Sequence, residues 1–165
     1  MPRELDRIVR LYASRNRLSV EKSLGAGIHG QVFFVRGNSI AGGTAIKVFY
    51  AEEPFRRELR VYERLRDANV RKIRGFAVPQ LIQADSALLV LEMTVVERPY
   101  VLDFAGAYLD EDAPQFPEEV WETWEADKRE KFGEHWREVK AMLAALEEYD
   151  IHMLDVNPGN VAFEN

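Results

Sequence analysis

The sequence predicts an α+β fold, with strands concentrated in its first half and a long helix in its second. Three observations carry this. Five segments between residues 17 and 96 are rich in β-branched and aromatic residues or in short apolar runs. An apolar stripe with steps of four and three marks residues 118–149 as helical. Between them, residues 97–116 carry Pro99 and Pro114, with Pro117 at their end, and read as irregular. The expected organisation is therefore a β-rich part over residues 1–94 and a helical part over 95–165.

In chain order, Leu5, Ile8, Val9, Leu11 and Tyr12 lie at helical spacing and predict an amphipathic helix over 3–15. RLSVEKSL predicts a strand, and QVFFV a second after a glycine-rich stretch. GNSIAGG is a turn, and TAIKVFY a third strand, apolar except for Lys47. Phe55, Leu59, Tyr62 and Leu65 place a helix over 53–67, with Pro54 near its first turn. AVPQLIQA and ALLVLEMTVV are two further strands. In the second half, Phe132, Trp136, Val139, Leu143 and Leu146 form one stripe on a helix over 118–149. IHMLDVNPGNVAF then reads as a loop running into a short strand.

Composition narrows the function classes. The chain has 165 residues, 47% of them apolar, and a net charge of −6. This acidity disfavours nucleic-acid and anionic-membrane partners. It has no cysteine, which excludes disulfides, thiolate metal sites and cysteine nucleophiles and fits a cytoplasmic location. The N-terminal residues are too charged for a signal peptide, and no apolar run is long enough to span a bilayer.

The stretch LGAGIHGQVFFV contains G-x-G-x-x-G at Gly25, Gly27 and Gly30. In a dinucleotide-binding unit such glycines lead into a helix. Here Gln-Val-Phe-Phe-Val follows and favours a strand, so the loop is the tip of a β-hairpin. Without side chains, its backbone can lie close over phosphates. With Leu24 before it and Val32 after it, the stretch resembles the glycine-rich loop of protein kinases, which implies that these two side chains sandwich adenine. TAIKVF resembles the A-x-K strand of that family. Ala45 then lines the adenine site, and Lys47 holds the α- and β-phosphates. FRRELRVYERL resembles the helix whose glutamate pairs with that lysine; Glu58 matches best, and Glu63 is a second candidate. LLVLEMT is similar to the strand entering the hinge, which makes Leu91 the gatekeeper and brings the main chain of Glu92 and Thr94 to the adenine edge. DVNPGN is similar to the catalytic loop D-x-x-x-x-N, with Asp155 as base and Asn160 as a metal ligand. The resemblance covers about Leu24 to Phe163.

Four features depart from the family pattern. Met153 and Leu154 stand where His-Arg is usual, with His152 one position early. Asn157 replaces the lysine found two residues after the aspartate, removing a cation from the transferring phosphoryl group. His29 occupies the tip of the glycine loop, where an aromatic residue is usual. No D-F-G motif follows Asn160; Glu164 is the one carboxylate after it.

The resemblance implies a minimal protein-kinase-like fold: a five-stranded antiparallel N-lobe with an αC-type helix, and a rudimentary helical C-lobe. It implies ATP and Mg2+ as cofactors and a phosphotransferase reaction. A pseudokinase, binding nucleotide or a partner without catalysis, is the main alternative, because loss of the D-F-G carboxylate removes charge stabilisation from phosphoryl transfer. An enzyme completed by a second chain is another. The stripe of the 118–149 helix requires cover from the N-terminal helix, the 97–116 segment with Phe104, Tyr108 and Phe116, a protein partner or a second copy.

Overall fold

The computed structural model describes residues 2–37, 41–96, 101–109 and 113–163. Pro99, residues 38–40 of the expected turn, and Glu164 lie outside these. In chain order the elements are α1 (Pro2–Asn16), β1 (Leu18–Ala26), β2 (Gly30–Gly37), β3 (Thr44–Phe49), α2 (Glu52–Asp67), β4 (Lys72–Ile73), β5 (Phe76–Ala77), β6 (Leu81–Asp85), β7 (Val90–Thr94), β8 (Val101–Leu102), β9 (Ala107–Leu109), α3 (Glu118–Phe132), α4 (Trp136–Glu147), β10 (Ile151–Met153) and β11 (Val161–Ala162). The fold class is α+β. Two compact units are present, Met1–Leu59 with Pro79–Val95, and Arg60–Val78 with Val96–Asn165. α2 begins in the first and ends in the second, so no single cut in the chain separates them.

The first unit is built on an antiparallel sheet of five strands in the order β1-β2-β3-β7-β6. Strand alternation gives it two distinct faces. Phe33, Val35, Ile46, Val48 and Val90 point to one and form a core with Val9 and Tyr12 of α1. Of the five residues whose spacing predicts this helix, Val9 and Tyr12 are buried in that core and Leu5 and Ile8 pack against it, whereas Leu11 is exposed. Each such apolar side chain stabilises by about 1.5–3 kcal/mol on burial. The other face carries Val32, Ala45, Lys47 and Leu91. Residues opposite one another in register form a row across four strands, Gly25–Val32–Lys47–Leu91.

The second unit contains a four-stranded sheet, β11-β8-β5-β4, and the antiparallel pair β10-β9. Four elements differ from the sequence expectation, the first being Ile151–Met153, which begin the expected loop but form β10. AVPQLIQA is not one strand: its first residue closes the β4–β5 hairpin and Leu81 opens β6, with Pro79, which has no N–H for a ladder, between them. The 97–116 segment is not wholly irregular, since it supplies β8 and β9. The 118–149 helix is broken. Gly133 adopts φ +54° and ψ −124° and ends α3, and a short 3-10 turn over Gly133–His135 leads into α4. Only glycine takes this backbone conformation without strain. Gly133 does not interrupt the apolar spacing, so periodicity alone cannot see the break.

The stripe of α4 is covered within the chain. Phe132, Trp136, Val139, Met142 and Leu146 are buried, and Leu143 is half-buried. β10 and the β4 hairpin strand pack against α4, and Phe163 stacks on His135 with ring centroids 4.3 Å apart. Among the described residues no helix is long and apolar enough to cross a membrane.

Candidate functional site

Lys47 sits in β3 between β2 and β7, so both flanks of its strand are hydrogen-bonded and its side chain stands on a sheet face. Glu58 lies on α2, one helical turn beyond Phe55, whose ring packs edge-on against Phe49 at 5.6 Å. This packing sets the helix over the strand. The Lys47 ammonium donates to both Glu58 carboxylate oxygens, at 2.8 and 2.7 Å. The side chains are 7% and 3% exposed. Burying either charge alone is expensive, so the pair is held by mutual compensation. Glu58, and not Glu63, meets Lys47. The ammonium also lies 5.1 Å from the centroid of the Phe49 ring.

The glycine stretch is the β1–β2 hairpin. The Gly27 N–H donates to the Gly30 carbonyl at 2.9 Å, and the carbonyl of half-buried His29 accepts from Tyr50 N–H at 3.0 Å. Gly30 is required by packing, because a Cβ there would stand 2.3 Å from the Val48 carbonyl oxygen. Gly25 and Gly27 differ. Neither has positive φ, and a Cβ on either would meet nothing within 4 Å among the described residues. Leu24, at a bulge in β1, is 47% exposed, and Val32 is half-buried.

In β7, Leu91 is fully buried directly opposite Lys47. Ala45 lies on the same face two residues earlier. The Thr94 N–H is occupied, donating to the Gln80 carbonyl at 2.9 Å, and the Thr94 hydroxyl accepts from Gln80 N–H at 2.9 Å. The Glu92 side chain points to the α1 face and is 4% exposed. It accepts hydrogen bonds from Tyr12 at 2.8 Å, Thr44 at 2.7 Å and Gln83 at 3.1 Å. Burial, followed by the bond to Glu92, pushes the Tyr12 phenol well above its ordinary value. This polar network ties α1 to the sheet. Its one local signal is an acidic residue inside an apolar strand.

In the second unit, Asp155 is exposed in a loop held by Asn157 and Asn160. Asn160, 7% exposed, donates from Nδ2 to the Asp155 carbonyl and accepts at Oδ1 from Asn157 N–H at 2.9 Å. Asn157 donates to Asp155 Oδ1 at 3.2 Å and accepts from Gly159 N–H at 2.8 Å. Asn157 therefore shapes the loop and orients Asp155. Gly106, with φ +75°, lies against Asp155; a Cβ there would be 2.8 Å from the Asp155 Cβ. Among the described residues, no three His, Asp or Glu side chains cluster as a metal site.

A scan against protein-family models and a search of curated proteins each gave no match.

Proposed function

We propose that this chain is a protein-kinase-like ATP-binding domain, with phosphotransferase chemistry at Asp155 in its active form. The observation that carries this reading is the buried Lys47–Glu58 pair in one sheet row with the glycine hairpin. A lysine held by a carboxylate at the middle of a sheet is a costly arrangement if it serves the fold alone. It is an economical one for a cation kept in place to meet phosphate oxygens.

Gly25 and Gly27 support the same reading. Their backbone angles and surroundings accept a larger residue, so glycine there is explained by something that approaches the hairpin from outside. Leu24 and Val32 supply apolar contacts for a base, with Ala45 and Leu91 on the same face as Lys47.

Mg2+ binds through few protein side chains and several phosphate and water oxygens. Asn160 Oδ1 keeps one lone pair after its bond to Asn157 and is the protein atom that fits this role. When bound, the ion neutralises charge on the phosphates.

The pseudokinase alternative has specific support too. Asn157 provides no cation beside Asp155, and the Thr94 N–H expected at an adenine edge is already used by Gln80. The test is calorimetric titration with ATP, with and without Mg2+, on wild type, Gly27→Ala and the double variant Lys47→Met/Glu58→Leu. Binding to wild type that weakens in both variants upholds the ATP site. No binding at millimolar nucleotide overturns it. Turnover lost in Asp155→Asn identifies the active form, whereas binding without turnover identifies the pseudokinase.

A further inference from the structure

Charge is unevenly spread along this chain. Residues 60–78, all in the second unit, carry six cations, Arg60, Arg64, Arg66, Arg71, Lys72 and Arg74, against Glu63 and Asp67. The segment is thus +4, and the rest of the −6 chain carries −10. Whole-chain acidity disfavours an anionic partner only where the charges are evenly mixed. The segment holds the end of α2 and the β4–β5 hairpin. Its cations differ in state. Arg64 pairs with Asp150 at 3.1 Å, and Arg66 with Asp67 at 3.3 Å. Arg71, Lys72 and Arg74 are exposed and have no ion pair among the described residues.

The hairpin fixes how these three are presented. Ile73 pairs with Phe76 across a two-residue turn, Arg74–Gly75. Ile73 is buried, and Lys72 and Arg74 on either side of it face solvent. Arg74 has φ +50° and Gly75 φ +91°. A two-residue hairpin turn of this kind takes positive φ at both positions, where asparagine and glycine fit best. Arginine at the first of them is strained, so the turn alone does not explain it. β4 is an edge strand of its sheet, and one edge lysine is enough to discourage further strand pairing there. Two more cations exceed that need.

We propose that the β4–β5 hairpin binds the phosphate backbone of a nucleic-acid duplex. Three unpaired cations within four residues select a polyanion, and the arginine fork matches phosphate oxygens. The kind of polyanion follows from what the surface lacks. No large apolar side chain is exposed between residues 60 and 78: Val70, Ile73, Phe76 and Val78 are 7% exposed or less. An acidic protein would need an apolar centre to its interface. A stable membrane contact would need a second signal, an apolar face or a lipid chain. A single strand would need aromatic rings on which its bases stack. A duplex backbone needs none of these. Backbone contacts carry no base preference. This surface is independent of the ATP-site reading.

The test is fluorescence anisotropy of the full chain with labelled DNA and RNA duplexes of about 20 base pairs, from about 50 to about 200 mM salt. The expected result is saturable binding at the lower salt and a log–log salt slope of about −3, or roughly 50-fold weaker binding at the upper salt. Binding of either duplex upholds the proposal, and the tighter one names the source of the phosphates. Lys72→Gln and Arg74→Asn each reduce the magnitude of the slope by about 1 and weaken binding about fivefold to tenfold at the lower salt. Asparagine suits the positive φ of residue 74, so the thermal midpoint of Arg74→Asn is unchanged or raised, and its lost binding is not lost folding. Arg10→Gln removes an exposed cation from α1 and leaves binding within about twofold. No saturable binding at roughly 0.1 mM protein overturns the proposal. So does an Arg10→Gln effect as large as that of the hairpin variants. Poly-glutamate or phosphatidylserine vesicles that compete as well as duplex at equal charge overturn it too, as does tighter binding of a single strand than of a duplex.

Discussion

Replacing Lys47 with methionine removes the ammonium and keeps an unbranched apolar stem in its place. The Glu58 carboxylate then stays buried, 3% exposed, without the cation that lies 2.7 Å away. Breaking a buried pair from one side costs about 3–5 kcal/mol, a large share of the roughly 5–15 kcal/mol that holds a domain folded. At roughly 2–4 °C per kcal/mol for a chain of this size, Lys47→Met lowers Tm by about 6–20 °C. Glu58→Leu leaves the ammonium buried instead and costs a similar amount. The double variant removes both charges and returns to within about 1–2 kcal/mol of wild type, since an apolar pair replaces an ionic one at little cost. Urea denaturation of the four proteins measures the coupling, with unchanged m-values as the control. Single losses below about 1 kcal/mol, the range of an exposed pair, would refute the argument. So would single losses that simply add in the double variant. The cycle also protects the ATP titration, because the double variant lacks the phosphate-binding cation while remaining folded.

Other predictions follow from single residues. Gly25→Ala and Gly27→Ala leave stability unchanged or raise it by up to about 1 kcal/mol and weaken ATP binding several-fold by calorimetry. Gly30→Ala pushes a Cβ against the Val48 carbonyl and lowers stability by about 1–3 kcal/mol in the same denaturation assay. Tyr12 has its phenol raised by burial and by Glu92, so the folded state holds that proton more tightly than the unfolded state. Its stabilisation is complete below the ordinary phenol value of 10.0 and is lost as pH rises above it. Tyr12→Phe therefore gives a flatter fall in stability above that pH, measured by denaturant midpoints against wild type. Gly133→Ala strains a φ of +54° and costs about 1–2 kcal/mol, read as a lower thermal midpoint.

The local signals in this sequence were strong where short-range physics governs. Period-3.6 spacing marks the buried faces of α1 and α2, and β-branched runs mark the strands of the main sheet, because both depend on neighbours a few residues away. The change from glycine to a β-rich run after Gly30 distinguishes a hairpin from a strand–helix turn. The residue types at Lys47 and Glu58 suggested a pair, but two glutamates were open. Only the docking of α2, set by Phe55 on Phe49, decides for Glu58.

What the tertiary structure alone decided involves long separations or backbone angles. The β4–β5 hairpin gains its place by pairing with β8, and β10 with β9, across stretches that carry no periodic signal. The break at Gly133 is a backbone conformation, and the apolar stripe runs through it undisturbed. Glu92 reads in sequence as a hinge residue; register turns its side chain to the α1 face, where Tyr12, 80 positions away, binds it. Likewise Trp136 reads in sequence as a stripe residue, and only the packing of α3 beside α4 brings it into contact with Trp124, twelve positions earlier. Sequence spacing fixes which face a side chain takes on its own element. Which partner meets that face depends on packing between distant segments, and that information is not local.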